Sequence, residues 1–252
     1  MGYFIRNSGK FGFLVNNEDL IGLSIINNGC WEPEIKEVYD LLVNEDYLVI
    51  NIGANLGYHT VKLADISSKV IAFEPQKKIF NQLSANIYLN DFDEKIDAYQ
   101  LALGDFETKL KMTSIEDNKG LVNRSNITNY GGFAIIENGT GEEVSIKTLD
   151  SLELCPDFIL MDAEGYEFKI LKGSLKTLST HKPTIIFESW YEKLNIFHFL
   201  KSIGYELYHK EELGYNYVAL HPEHKDYAEK LENLKGINFH ELHFSCDKFD
   251  LI

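Results

Sequence analysis

Residues 48–66 read LVINIGANLGYHTVKLADI, and this stretch decides the fold. It begins with a short apolar run, Leu48 to Ile52, which predicts a buried strand of a parallel sheet. A turn containing Gly53 and Gly57 follows, and from Tyr58 onward apolar residues recur at helical spacing. A strand, a glycine turn and a helix in this order predict the opening of a nucleotide-binding βαβ unit.

The spacing of the glycines narrows the class of ligand. A dinucleotide fingerprint requires G-x-G-x-x-G, but its second and third glycine positions are Asn55 and Tyr58 in this chain. A nicotinamide oxidoreductase is therefore disfavoured. The G-x-x-x-G pattern suits a ligand without a pyrophosphate, such as a nucleoside that carries an amino-acid tail. On this motif alone, an ordinary glycine turn of an α/β protein is an equal alternative.

A second apolar run ends at a carboxylate. It extends from Lys69 to Phe73, Glu74 follows it, and Pro75 then stops the strand. In nucleotide-binding α/β folds, a carboxylate at this position accepts hydrogen bonds from the ribose hydroxyls. The alternative for Glu74 is a solvated charge at a strand end. Since the glycine turn precedes it, the ribose-binding interpretation is favoured.

Composition disfavours several kinds of partner. The chain has 252 residues, of which 44% are hydrophobic, so it can bury a sizeable core. Its formal net charge of −15 disfavours a nucleic-acid backbone or an anionic membrane surface as a partner. Met1 to Lys10 contains no apolar signal segment, and no later run is long enough to insert into a membrane. A cytoplasmic protein is therefore expected.

The remaining chain alternates predicted strands and helices, which indicates an α/β fold with a mostly parallel sheet and an antiparallel C-terminal strand. Residues 1–44 are predicted to form a small cap of β-hairpins and one helix, with Leu20 to Ile26 among the hairpin segments. Residues 45–222 form the main domain, and residues 106–143 are an irregular insertion within it. Residues 223–252 are predicted to be a tail that packs on the same domain.

Polar or small residues stand where several predicted strands end. The third strand of the main domain is predicted from Ile96 to Leu103. Because the carboxyl ends of parallel strands lie at one edge of a sheet, the residues at these ends are expected to line one ligand site, near the point where strand order reverses. The residues at these ends are Gly53, Glu74, Gly104, Asp162 and Glu188.

Five short motifs lie along this part of the chain: residues 51–57 (NIGANLG), 73–75 (FEP), 102–105 (ALGD), 148–150 (TLD) and 162–167 (DAEGYE). Together they resemble the FkbM family of S-adenosylmethionine-dependent methyltransferases. The resemblance implies a Rossmann-like class I methyltransferase fold, S-adenosylmethionine as the methyl donor and a hydroxyl as the acceptor. Two positions depart from the family pattern. Asn51 stands where an aspartate is usual, and Leu160 stands where a lysine is frequent.

The resemblance also implies which residues bind the cofactor. Its glycine turn is expected to hold the methionine end, Glu74 the ribose, and Ala102 with Leu103 the adenine. Asp162 and Glu164 are expected beside the transferred methyl group. The full implied set is Asn51, Gly53, Asn55, Gly57, Tyr58, Glu74, Ala102, Leu103, Asp162 and Glu164.

Methyl transfer requires the acceptor oxygen, the methyl carbon and the sulfur in line, and the hydroxyl gains from losing its proton. The candidate catalytic residues are Asp162, Glu188 and His59. For His59, a packing or solvent-facing role in the first turn of the helix is an equal alternative.

A divalent metal is a separate prediction for two of these residues. Asp162 and Glu188 end neighbouring predicted strands, so they repel each other unless a cation, a proton or a basic group lies between them. Mg²⁺ or Mn²⁺ bound by both carboxylates satisfies this condition. The favoured alternative is that no metal binds and one carboxyl group hydrogen-bonds the backbone or the acceptor.

These observations predict an S-adenosylmethionine-dependent O-methyltransferase that acts on a sugar or nucleotide-linked sugar of a surface glycan. The insertion at 106–143, rich in groups that hydrogen-bond hydroxyls, is interpreted as a lid over the acceptor. The alternative function, which Asn51 and Leu160 motivate, is an S-adenosylmethionine-binding partner or an inactive methyltransferase-like subunit. The N-terminal hairpins are expected either to cap the fold or to form a homodimer.

Overall fold

The structure is a computed structural model, and it describes residues 2–114, 127–136 and 139–243. The strands are β1 Tyr3–Ser8, β2 Phe11–Asn16, β3 Leu48–Ile52, β4 Lys69–Phe73, β5 Ile96–Tyr99, β6 Ala102–Leu103, β7 Thr108–Met112, β8 Ile135–Ile136, β9 Glu143–Lys147, β10 Phe158–Met161, β11 Thr184–Glu188, β12 Glu206–His209, β13 Asn216–Leu220 and β14 His240–Glu241. The α-helices are α1 Leu20–Asn28, α2 Pro33–Leu42, α3 Tyr58–Ile66, α4 Lys77–Leu89, α5 Glu167–Lys172, α6 Leu175–His181, α7 Lys193–Ser202 and α8 Tyr227–Gly236.

The central sheet has the strand order β14-β12-β13-β11-β10-β3-β4-β5. Neighbouring strands from β11 to β5 are parallel, whereas β13, β12 and β14 are antiparallel to their neighbours. The predicted α/β fold, with a mostly parallel sheet and an antiparallel C-terminal part, is confirmed. The chain builds outward from β3 to β5 and then returns to β10 on the other side of β3. Strand order therefore reverses between β3 and β10, which is where such sheets bind ligands.

Helices cover both faces of this sheet because alternate side chains of a strand point to opposite faces. Val49 of β3 packs in one apolar cluster with side chains of α2, α3, α4 and α8. Ile50 and Ile52 pack in a second cluster with side chains of α5, α6 and α7. Burial on both faces explains why β3 is apolar at every position except Asn51.

The N-terminal segment differs from the prediction in one element. β1 and β2 form an antiparallel hairpin, but Leu20–Asn28 is helix α1 and not part of a hairpin. Asp19 caps its first turn by accepting a backbone hydrogen bond, and Gly29 ends it with a φ of 74°. The hairpin is tied to α4, where Asn86 Oδ1 accepts a hydrogen bond from Leu14 N at 2.6 Å. The proposed domain boundaries stay predictions.

The third predicted strand is shorter than expected. β5 ends at Tyr99, and Ala102–Leu103 leaves the central sheet as β6, which pairs with β9. A second sheet has the order β6-β9-β7-β8, and the insertion supplies β7 and β8 to it. Residues 115–126 and 137–138 of the insertion lie outside the described part of the chain.

The C-terminal tail packs on the main domain where it is described. α8 contacts α2, and β14 pairs with β12 at the edge of the central sheet. None of the described helices is both long enough and apolar enough to cross a membrane. Residues 244–252 lie outside the described part of the chain.

Candidate active site

A cavity of about 340 Å³ opens at the carboxyl ends of β3, β4, β10 and β11. Predicted site residues form much of its wall: Asn51, Gly53, Asn55, Tyr58, His59, Glu74, Ala102, Leu103, Asp162, Glu164 and Glu188. Gly57 lies outside this wall. The wall also includes Glu32, Trp190 and Asn216, which the sequence analysis did not select. The structure thus places the predicted residues together, and their roles stay predictions.

The two glycines of the turn make room for other parts of the protein. Gly53 has a φ of 76°, and a Cβ on it would lie 1.7 Å from the backbone oxygen of Asp162. Gly53 therefore allows the ends of β3 and β10 to meet, and its role in holding the methionine end of the cofactor stays a prediction. Gly57 has a φ of 92°, and its missing Cβ leaves space for Leu83 of α4.

Glu74 links the glycine turn to the start of α4. Its Oε2 accepts a hydrogen bond from Asn55 N at 2.9 Å, and its Oε1 accepts one from Gln76 N at 2.8 Å. Burial raises the pKa of Glu74 to about 7, although these two hydrogen bonds act to lower it. Each oxygen retains a further lone pair that can accept a hydrogen bond from a ligand hydroxyl.

Two polar residues near the turn have partners within the protein. The buried Asn51 donates a hydrogen bond from Nδ2 to Thr60 Oγ1 at 2.8 Å, which connects β3 to α3. The hydroxyl groups of Tyr58 and Ser8 lie 3.0 Å apart and join α3 to the N-terminal hairpin. Both side chains therefore stabilise the local fold in addition to lining the cavity.

His59 contacts two residues of the N-terminal segment. Its Nε2 lies 3.1 Å from Glu32 Oε2, and its Nδ1 lies 3.3 Å from the hydroxyl of Tyr39. Because both ring nitrogens have partners, the geometry favours a positioning role for His59 over that of a free base. Glu32 itself has a φ of 42°, which is uncommon for a residue other than glycine.

Three carboxyl groups meet at the carboxyl ends of β10 and β11. Oxygen atoms of Asp162, Glu164 and Glu188 all lie within 4.8 Å of one another. Asp162 and Glu188 follow residues that pair between the two strands, Met161 and Phe187. Register thus sets them side by side, as predicted from the strand ends.

The pKa values of all three carboxyl groups are raised, so each group retains its proton to a higher pH than an ordinary carboxyl group does. Burial, followed by the charges of Glu188 and Glu164, raises the pKa of Asp162 well above its usual range, even though its side chain is open to the cavity. Burial also raises the pKa of Glu188, against the lowering effect of hydrogen bonds with Trp190 and Asp162. Burial and the charge of Glu188 raise the pKa of Glu164 to about 7. The arrangement of Asp162 and Glu188 fits one shared proton, held by Asp162.

An aromatic pair lies next to Glu188, and one of its members, Trp190, lines the cavity. The rings of Trp190 and Tyr215 stack with centroids 3.8 Å apart and an interplanar angle of 27°. A signal for Trp190 was present in the sequence, because it follows the predicted strand-end residue Glu188 by two positions. Glu32 gave a weaker signal, since its position depends on how the segment before α2 folds.

Part of the insertion lies beside the glycine turn and the end of β4. Thr128 N donates a hydrogen bond to Glu18 O at 2.7 Å. Gln76 Nε2 donates to Tyr130 O at 2.8 Å. A Cβ on Gly131 would lie 3.3 Å from the side chain of Asn55. This described part, residues 127–136, therefore contacts the predicted cofactor side, and a lid over the acceptor stays a prediction.

The described wall of the cavity contains five acidic side chains and no lysine or arginine. Its carboxyl groups are those of Glu32, Glu74, Asp162, Glu164 and Glu188. A concave wall lined by one sign of charge attracts ligands of the opposite sign. Above about pH 7, where Glu74 and Glu164 are mostly ionised, the cavity therefore favours a cationic ligand.

Comparison with known proteins places this chain among methyltransferases. The family model for the methyltransferase FkbM domain matches residues 51–217. A curated relative, hexuronic acid methyltransferase AglP of Haloferax volcanii, is 25% identical over 148 residues, which are 54% of this chain and 53% of the relative. The chain thus matches about half the length of that relative.

Two solved structures are also similar. The crystal structure of methyltransferase FkbM from Methylobacillus flagellatus KT aligns with a TM-score of 0.49 and 15% identity, over 70% of this chain and 44% of that one. M. jannaschii TYW2, solved in complex with AdoMet, aligns with a TM-score of 0.43 and 15% identity, over 86% of this chain and 83% of that one. Because the family model covers more than half of the sequence, the predicted resemblance is confirmed: this chain belongs to the methyltransferase FkbM domain family and has its Rossmann-like fold.

Proposed function

We propose that this methyltransferase is an S-adenosylmethionine-dependent O-methyltransferase that acts on a hydroxyl of a sugar or nucleotide-linked sugar of a surface glycan. The sugar acceptor is supported by the relative AglP, which is named for a hexuronic acid. The observation that carries the proposal is the pair of carboxyl groups of Asp162 and Glu188 in the cavity beside the reversal of strand order. When one of two such groups is ionised, it can accept the proton of a hydroxyl.

The residues of the cavity fit S-adenosylmethionine. This cofactor is cationic at its sulfonium and ammonium groups, and the described wall supplies five carboxyl groups. Glu74 can accept hydrogen bonds from the ribose hydroxyls, while the buried, apolar Ala102 and Leu103 suit the adenine ring. When bound, the cofactor supplies a methyl group that its sulfonium makes reactive.

In the proposed mechanism, Glu188 is the general base. It would accept the proton of the acceptor hydroxyl, which would make the oxygen a better nucleophile toward the methyl group that the cofactor would supply. Asp162 keeps its own proton and hydrogen-bonds Glu188, which fixes the position of the carboxylate. Glu164, close to both groups, adds negative charge above about pH 7, where it is mostly ionised. His59 and Glu32 contribute by holding the segment before α2 against α3.

Calorimetric titration with S-adenosylhomocysteine tests the cofactor assignment. The native protein is expected to bind it, and Glu74→Ala is expected to bind it at least about tenfold more weakly, since a ribose contact is lost. Glu107→Ala, at an exposed position outside the cavity wall, is the matched control. If the native protein shows no binding, the proposed function fails.

The alternative, an S-adenosylmethionine-binding partner or inactive subunit, rests on the two departures from the family pattern. Asn51 has a structural partner in Thr60, and Leu160 is buried in the apolar cluster on the α2 side of the sheet. Neither observation requires loss of activity. Transfer of a labelled methyl group to any member of a panel of sugars would show that the protein is an active methyltransferase and exclude the alternative.

Three further predictions concern metal, assembly and location. Mg²⁺ or Mn²⁺ would require Asp162 and Glu188 to be ionised together, which competes with the shared proton. A homodimer would be supported by concentration-dependent sedimentation. A cytoplasmic location stays a prediction that fractionation of the source cells can test.

A further inference from the structure

Three aromatic side chains stand exposed in the segments that follow β11 and precede β13. The exposed fraction is 55% for Trp190, 70% for Tyr191 and 47% for Tyr215. Trp190 also lines the cavity. Packing of the fold does not require an indole ring in this position, because much of its apolar surface stays in water.

Trp190 is held firmly at this position. One face of its ring stacks on Tyr215, and its side chain hydrogen-bonds the carboxylate of Glu188. The turn that carries it is fixed by Ser189, whose N donates a hydrogen bond to Tyr215 O at 2.9 Å. Ser189 Oγ donates another to Tyr191 O at 2.9 Å. Since one face of the indole is covered and more than half of the residue is exposed, the other face is open to a ligand.

We infer that Trp190, supported by Tyr215, is the platform on which a neutral sugar ring of the acceptor stacks. This inference rests on the proposed function and specifies how the acceptor is held. A pyranose ring has an apolar face of C–H groups that packs on a flat aromatic ring, while its hydroxyl groups extend sideways.

The platform also brings the acceptor to the reacting groups. Trp190 shares the cavity wall with Glu188 and Asp162, so a ring on the indole presents its hydroxyls to the proposed base. Asn216, which pairs with Glu188 between β13 and β11, lies in the same wall and offers an amide for a second hydroxyl. The carboxyl groups nearby favour a neutral ring over an anionic one. A protein surface over Trp190 would instead close the route to Glu188.

Nuclear magnetic resonance of isotope-labelled tryptophan tests the platform directly. The chain contains two tryptophans, Trp31 and Trp190, and Trp190→Phe assigns their indole signals. Protein loaded with S-adenosylhomocysteine is titrated with the methyl glycosides of glucose, galactose, mannose and N-acetylglucosamine, and with glycerol as a polyol without a ring. At least one glycoside is expected to shift the Trp190 signal saturably, and glycerol is not.

Two variants give the inference a quantitative form. Trp190→Ala is expected to raise the dissociation constant of that glycoside about tenfold, by analogy with the loss of one stacked ring. Tyr88→Ala removes an aromatic that is 77% exposed on α4, outside the cavity wall, and is expected to leave this constant unchanged. Circular dichroism confirms that both variants are folded.

Three results would overturn the inference: no glycoside shifts the Trp190 signal, Trp190→Ala binds glycosides as the native protein does, or the Trp190 signal changes only with protein concentration. The last would assign the surface to a second copy of the chain. Failure of the proposed function is a different outcome, since it appears as a lack of binding to S-adenosylhomocysteine. In that case the glycoside titration is repeated without it and still decides on the platform.

Discussion

Replacing Glu74 by glutamine is expected to make the stability of the protein less sensitive to pH. Glu74 is 3% exposed and accepts two backbone hydrogen bonds, one from Asn55 N and one from Gln76 N. Burial nevertheless raises its pKa from 4.5 to about 7, because the ionised form loses its hydration. Glutamine has nearly the same shape but does not titrate.

The direction of the effect follows from proton binding. A carboxyl group whose pKa is raised by folding binds its proton more tightly in the folded state than in the unfolded state. It therefore stabilises the fold at low pH, and this contribution is lost as the pH rises through about 7. Between pH 5 and pH 8, a rise in pKa from 4.5 to about 7 lowers the free energy of unfolding by about 2.5 kcal/mol.

The substitution also alters the two hydrogen bonds that the side chain of residue 74 accepts. Glutamine offers one acceptor oxygen, so the N–H of either Asn55 or Gln76 faces an amide N–H₂ group. Leaving such a buried donor unpaired costs about 1–3 kcal/mol. This cost does not depend on pH, so it cancels when the two proteins are compared across the pH range.

Urea unfolding of the native protein and of Glu74→Gln at pH 5 and pH 8 measures the effect. At pH 5, the variant is expected to have the lower free energy of unfolding. From pH 5 to pH 8, the free energy of unfolding of the native protein is expected to fall by about 2.5 kcal/mol relative to that of the variant. Glu107→Gln, at an exposed position, controls for the change of side chain. A stability difference that is the same at both pH values would refute the assignment of a raised pKa to Glu74.

The remaining predictions concern catalysis. Glu188→Gln is expected to lower the rate of methyl transfer at least about 100-fold with binding of S-adenosylhomocysteine unchanged, and parallel loss of both would place Glu188 in the cofactor site. Because burial raises the pKa of Glu188, kcat is expected to fall on acidification from a higher pH than an ordinary carboxyl group gives, and a flat profile down to pH 5 would exclude it as the base. Since Asp162 and Glu188 fit a shared proton, activity is expected to survive exhaustive chelation, whereas loss with EDTA and return with Mg²⁺ or Mn²⁺ would support the metal site. A methyl glucoside is expected to have a lower KM than the corresponding glucuronoside, and the opposite order would contradict the charge argument.

The parallel core was predictable from the sequence because buried strands have a simple pattern. β3, β4, β10 and β11 are short apolar runs followed by a turn, and their carboxyl ends must share one edge. That rule alone placed Glu74, Asp162 and Glu188 together. The pattern did not predict α1, because an apolar run of this length fits either a strand or a helix. The cap at Asp19 and the left-handed Gly29 favour the helix.

Contacts that depend on loop conformation were not readable from the sequence. The space beside Gly53 is filled by the backbone of Asp162, a residue more than 100 positions away in the chain. Glu32 reaches the cavity through an unusual backbone conformation, and Trp190 through a turn that Ser189 stabilises. Each of these depends on a loop conformation, which local propensity does not determine.

The charge of the cavity connects the donor, the product and the acceptor. Those of the five carboxyl groups in the described wall that are ionised attract a cationic sulfonium, which S-adenosylhomocysteine no longer carries. Above about pH 7, where Glu74 and Glu164 are mostly ionised, the wall therefore favours the proposed donor over its product. The same groups oppose an anionic acceptor, because a further carboxylate would add repulsion at a site where burial and the charge of Glu188 already raise the pKa of Asp162. A hexuronic acid is such an acceptor, so the substrate named for AglP is disfavoured for this chain, and any pyrophosphate of a nucleotide-linked sugar has to lie outside the carboxyl cluster. Under the proposed function, transfer to a sugar would be common to both proteins, and the residues around Glu188 favour a neutral sugar in this chain.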